Sequence, residues 1–146
     1  MKPLLDQVMG AGGRHLDYAL DYLPEPDVAS WAMAHTARHG LARRWSLWYQ
    51  EYPVLLSPVW SQPAFPLDFD IASLDGAIAT LELMRPVLPA NLLGIPAAVV
   101  PAGMADGLPV GVQVMGGKYT ELRCLAIAET IERRLGPLTP IDPVAG

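Results

Sequence analysis

Apolar residues recur along this chain with two different periods, and the switches between them divide it into elements. The clearest signal runs from Asn91 to Gly117, NLLGIPAAVVPAGMADGLPVGVQVMGG. Ala97-Ala98-Val99-Val100 is an uninterrupted apolar run bounded by Pro96 and Pro101. From Pro109 to Met115, Val110, Val112 and Val114 fall on one face, and Gly111, Gln113 and Met115 on the other. Together they read as two short buried strands joined by a turn. Gly103 and Gly107 bracket that turn, where a positive φ or a close backbone approach is easiest. A strand with no polar face has to be covered on both sides, which predicts the middle of an α/β sheet and not an exposed hairpin. Val54-Leu55-Leu56 reads as a third buried strand.

Helical spacing accounts for most of the rest. Asp27 is a candidate N-cap for a helix through about residue 50, with Trp31, Ala34, Ala42, Trp45 and Trp48 or Tyr49 at near-helical intervals and Gly40 marking a possible break. Ser73 caps a second helix through Met84 or Arg85, with Ile78 and Leu81 on adjacent turns, and Pro86 and Pro89 end it. Thr120 is the expected cap of a last helix over 121–135. Cys124, Ile127, Ala128, Ile131 and Leu135 form its apolar stripe, and Glu121 and Arg133-Arg134 suit its two dipole ends. Residues 3–20 are weakly helical, interrupted by Gly10, Gly12 and Gly13. The expected architecture is therefore α/β: about three strands in one sheet, three to four helices, and one domain over 1–146.

Between the first strand and the second helix lies VWSQPAFPLDFD, held extended by Pro58, Pro63 and Pro66. Loops of this kind carry function on a rigid scaffold. Trp60, Gln62 and Phe65 are its candidate pocket residues; the alternative for the two rings is that they pack the loop down onto the sheet. Asn91 is read as a buried side chain bonding backbone groups, a structural role. Gly94, Pro96, Gly103, Gly107 and Gln113 are likewise read as structural.

No catalytic residue is assigned. Ser57 and Ser61 have no His or Lys placed to activate them. Asp68 and Asp70 read as a short solvated patch. His35 and His39 stand four apart and share a helix face, but no Glu follows His35, no third ligand is evident and His15 is distant. Cys124 reads as a buried small residue. No metal and no cofactor are expected.

Composition narrows the class. The chain has 146 residues, 51% of them hydrophobic and only 17% charged, against a typical charged share of about 25%. Such a balance fits either an Ala-rich composition or, the reading favoured here, an apolar surface that belongs against a missing partner segment. The net charge of −5 and the absence of a basic stripe leave nucleic-acid binding unsupported. No stretch approaches the ~18 consecutive apolar residues of a membrane helix, and MKPLLDQVMG lacks a signal-peptide h-region. The cytoplasm is the expected compartment.

The residues also carry a resemblance. N-x-x-G-x-P-A-x-x-V-P-x-G (Asn91, Gly94, Pro96, Ala97, Val100, Pro101, Gly103), then the run from Gly107 to Gln113, then a helix opening at Glu121, resembles the C-terminal end of the amidase-signature family. Upstream, Tyr52-Pro53-Val54-Leu55-Leu56-Ser57-Pro58 resembles the buried strand that leads into the family's proline-rich active-site loop, with Pro53 where the family more often has Asp. The likeness runs from about Leu16 to the end. It implies part of a large mixed sheet flanked by helices, and hydrolysis of a small-molecule amide through a Ser-cis-Ser-Lys centre in the N-terminal half. This chain has serines only at 30, 46, 57, 61 and 73, none beside a glycine or another serine, and its lysines are Lys2 and Lys118. The expectation is a C-terminal portion without the catalytic core. Its expected partners are the N-terminal amidase segment or further copies of itself. The alternative is a non-enzymatic module derived from the same fold.

Overall fold

The computed structural model describes residue 25 and residues 27–136. The helix expected over 3–20, with His15, lies outside them. In chain order the elements are α1 (Val28–Glu51), β1 (Val54–Pro58), α2 (Phe69–Ala72), α3 (Leu74–Leu83), α4 (Leu88–Leu93), β2 (Ala97–Ala105), β3 (Leu108–Gly116) and α5 (Glu121–Leu135). The three strands form one sheet in the order β1-β3-β2, antiparallel throughout. The expected α/β class and shared sheet hold. The two extra helices are short pieces, of four and six residues, flanking the one read from the sequence.

The hairpin departs from the expectation. β2 does not stop at Pro101 but runs to Ala105, passing a register shift between Pro101 and Gly103. Ala105 pairs with Leu108 across a two-residue turn of Asp106 (φ 52) and Gly107 (φ 77). Both central residues are left-handed, the backbone that matches the twist of the flanking strands and that Asp-Gly adopts most cheaply. β3 is covered as expected: Gln113, Val114, Met115 and Gly116 are buried. β2 lies at the edge among the described strands, and Val99 is 55% exposed.

The core sits between the hairpin and α5. Val100, Val114, Cys124 and Ala128 are buried together, with Val54, Ala98, Val112, Ile127 and Ile131 packed around them. Cys124 is a core residue whose thiol burial pushes above its ordinary pKa. The expected stripe of α5 is thus correct over two turns but not at Leu135, which is exposed and lies outside that cluster. Thr120 precedes α5 without capping it by its side chain. Its hydroxyl donates backwards to the Gly117 carbonyl at 2.7 Å, so the turn before the helix takes the bond expected for the helix.

Two caps form as read. The Asp27 carboxylate accepts the Ser30 N–H at 2.6 Å and the Ser30 hydroxyl accepts the Asp27 N–H at 3.0 Å, a reciprocal box that opens α1. That bond from the Ser30 backbone holds the Asp27 carboxyl below its ordinary pKa. The Ser73 hydroxyl accepts from Gly76 N–H at 3.1 Å and opens α3. α1 runs through Gly40 unbroken, and its expected apolar stripe is mostly not buried: Trp31 is 59% exposed and only Tyr49 is buried. α1 meets α4 near its middle, where the Arg38 Nε donates to the Leu92 carbonyl at 2.5 Å, and its buried Tyr49 lies near the C-terminal end, against Gly117.

Candidate functional site

The loop after β1 folds back over the hairpin. Pro58, Pro63 and Pro66 fix φ and remove three backbone donors. The two bonds that anchor the loop therefore come from between them: Val59 N–H to the Gly111 carbonyl at 3.4 Å, and Ser61 N–H to the Leu83 carbonyl at 3.2 Å. One ties the loop to β3 and the other to the end of α3. Beyond the second anchor the loop runs on to Phe65 as an arch beside the hairpin, with open space between them.

A cavity of 720 Å³ lies under that arch. Trp60, Gln62 and Phe65 all line it, joined by Val99, Pro109, Val110 and Gly111 from the hairpin. The three loop residues read from the sequence are thus gathered around one space. The two rings line the cavity, and they pack edge to face with centroids 5.8 Å apart at 69°. Phe69, at the start of α2, extends the cluster at 5.3 Å from Phe65. The hairpin residues of the lining were missed in sequence. Their signal was the alternation along β3, which put Gly111 and Gln113 on the face opposite Val110 and Val112 without saying what lay over either.

Gln113 is buried beside this loop. Its Nε2 donates to the Ser57 Oγ and to the Pro86 carbonyl, both at 3.1 Å. Ser57 therefore sits against an amide, which cannot take up a proton, and Ser61 is exposed. Among the described residues, no ionisable side chain lines the cavity.

The other structural candidates divide. Gly94 (φ 63) ends α4 in the left-handed conformation. The Pro96 carbonyl accepts from Gly116 N–H at 3.1 Å and lies 3.9 Å from the Cys124 sulfur, joining hairpin and α5. Gly103 (φ 144) sits at the register shift of β2, and Gly107 in the turn. Asn91 does not take the buried position read for it. It is exposed in the last turn of α4, because the helix already satisfies the backbone there and turns the buried position to Leu93.

A second cavity, of 410 Å³, lies at the C-terminal part of α1 and is lined by Arg43, Trp45, Tyr49, Leu93, Ile95 and Lys118, among others. The Tyr49 hydroxyl is buried without a hydrogen-bond partner among the described residues. Burial is the main cause that pushes its pKa up to about 12. The His35 ring lies against Trp31, with centroids 4.2 Å apart and the planes tilted by 42°. Among the described residues no group of three His, Cys, Asp or Glu stands close enough to hold a metal ion, and no helix is long and apolar enough to cross a membrane.

Comparison with known proteins places this arrangement. The chain is 39% identical over 113 residues to an indoleacetamide hydrolase of Bradyrhizobium japonicum, covering 77% of this chain and 24% of that protein. It is 39% identical over 88 residues to a glutamyl-tRNA(Gln) amidotransferase subunit of Archaeoglobus fulgidus, covering 60% and 18%. The solved structure of the same amidotransferase subunit from Thermotoga maritima superposes with a TM-score of 0.61 at 30% identity, over 72% of this chain and 22% of that one. The chain thus spans no more than about a quarter of the length of these relatives. The model of the amidase family matches residues 15–125, and the chain belongs to that family.

Proposed function

We propose that this chain is the C-terminal portion of an amidase-signature hydrolase, and that it holds the amide substrate while another segment attacks it. The observation that carries the reading is the 720 Å³ cavity, which collects Trp60, Gln62 and Phe65 and contains no nucleophile beside a base. A hydroxyl without a base in hydrogen-bond reach is a poor nucleophile, and Ser57 and Ser61 both lack one. On this reading the Ser-Ser-Lys centre belongs to an N-terminal segment that closes the cavity. In the whole enzyme, a cytoplasmic one, a serine oxygen attacks the carboxamide carbonyl and expels ammonia or an amine. Water then releases the carboxylate. The relatives support the reaction class, being named for an indoleacetamide hydrolase and an amidotransferase.

The second reading is a non-enzymatic module that self-associates. The apolar side chains at its surface favour it, among them Leu122 at 82% and Leu125 at 57% exposure. Assay of the purified chain on simple aliphatic and aromatic amides, alone and mixed with the N-terminal portion of a family member, tests both. The chain alone is expected to be inactive, and turnover restored on mixing separates the hydrolase portion from the module. Turnover by the chain alone that Ser57→Ala or Ser61→Ala abolishes would overturn the proposal.

A further inference from the structure

The cavity under the loop is chemically one-sided. Its polar side chains, Ser61 and Gln62, are neutral, and among the described residues no Asp, Glu, Lys, Arg or His lines it. Its walls are the edge-to-face pair Trp60 and Phe65, and its floor is Val99, Val110 and Gly111. We propose that the substrate group seated here is a neutral aryl or bulky apolar acyl group, and not the charged α-amino acid end of a glutamine-like amide. The inference deepens the reading of this loop as a substrate wall and rests on it.

Three features carry it. A zwitterion brought into this space would lose water from both its ammonium and its carboxylate. With no counter-charge on the wall that the described residues of this chain supply, neither loss is repaid there. A neutral aromatic group meets no such penalty, and it gains a third member for the ring cluster in the offset or edge-on geometry that aromatic pairs prefer. Size agrees, since 720 Å³ lies within the ~300–1,000 Å³ of small-molecule sites.

Gly111 sets the depth. A Cβ built there would lie 3.1 Å from Val59 Cγ2 and 3.3 Å from Val99 Cγ1. A side chain at this position would therefore push the loop root and the floor apart. The missing side chain lets the loop sit down on β3 while the arch beyond stays open.

The test is a titration of the full chain followed by the indole N–H signal of Trp60, identified as the resonance lost in Trp60→Phe. Phenylacetamide and naphthaleneacetamide are expected to shift it saturably. Glutamine is expected to bind at least about tenfold more weakly, equivalent to about 1.4 kcal/mol. Trp60→Ala should weaken the aryl amides by a similar factor, Trp60→Phe should retain them (followed by intrinsic fluorescence), and Trp31→Ala, far along α1, should leave them unchanged. No saturable response to either aryl amide, or equal binding of glutamine, overturns the inference. Failure of the hydrolase reading would show differently, as no amide turnover when the chain is mixed with the N-terminal portion of a family member.

Discussion

Gln113 and Ser57 stand directly opposite one another on β3 and β1, and their side chains are joined by a 3.1 Å hydrogen bond. The same Gln113 amide reaches the Pro86 carbonyl, 27 residues away in the chain, also at 3.1 Å. One buried amide thus ties the sheet to the turn between α3 and α4, beside the root of the loop that arches over the cavity. Both protons of the amide are used, and the side chain is 3% exposed.

Removing that amide should be expensive. Gln113→Leu keeps the bulk but leaves the Pro86 carbonyl without this donor. The expected loss is about 2 kcal/mol, the usual penalty for a buried polar group left unsatisfied. Ser57→Ala leaves one Gln113 N–H without its acceptor, but at a half-buried position where water can replace the hydroxyl, and should lose about 1 kcal/mol or less. Urea unfolding of both variants checks the order. Equal losses would show that the Pro86 bond contributes nothing.

Tyr49 makes a prediction of opposite sign. Its buried hydroxyl has no partner among the described residues, so Tyr49→Phe should leave stability unchanged or raise it by up to about 1 kcal/mol. The pH dependence follows from the pKa pushed up to about 12 from an ordinary 10. Below pH 10 the phenol is protonated in both folded and unfolded chains and contributes no slope. Between pH 10 and 12 the unfolded chain ionises first, so stability falls as pH rises. Unfolding midpoints across that window should decline more steeply in the wild type than in Tyr49→Phe; parallel curves would contradict the burial of the phenol.

Two glycine substitutions should diverge. A Cβ at Gly116 would run into the Thr120 hydroxyl and lie 2.7 Å from the Cys124 sulfur. Gly116→Ala is therefore expected to destabilise by about 1–3 kcal/mol through overpacking where α5 meets the sheet. At Gly40, inside α1, nothing stands within 4 Å. Gly40→Ala should stabilise by about 0.5–1 kcal/mol through helix propensity. Thermal melts of the two variants read both signs.

Self-association is expected at micromolar concentration. Among the described strands β1 and β2 are edges, and Leu56 and Val99 on them are 53% and 55% exposed. Leu122 and Leu125 add apolar surface on α5. An unpaired edge beside apolar surface invites another chain, and about 800 Å² per partner makes a standard interface. Sedimentation equilibrium should report a dimer or larger species, shifted toward monomer by Leu122→Glu with Leu125→Glu. A monomer at every concentration would show that this surface needs no cover.

Features confined to a few consecutive residues were legible in the chain. Asp27 with Ser30, and Ser73 with Gly76, are caps because their partners lie three positions on, within reach of one helical turn. The apolar periods of β1, β3 and α5 identified those elements because period depends only on local geometry. The turn bracketed by Gly103 and Gly107 was legible too, but it is tighter than read, Asp106-Gly107 alone, because β2 pairs on to Ala105 past the shift at Gly103.

What depended on docking was not legible. The spacing of Trp31, Trp45 and Trp48 described a face of α1 without saying that little would cover it. Asn91 looked buried beside its glycine and proline neighbours, yet the helix turned Leu93 inward in its place. The Gln113–Pro86 bond and the seating of Trp60 and Phe65 over Val99 and Gly111 join segments tens of residues apart. Periodicity names the face a residue occupies. The strand register and the path of the loop choose what that face meets, because those are set by the whole packed sheet at once.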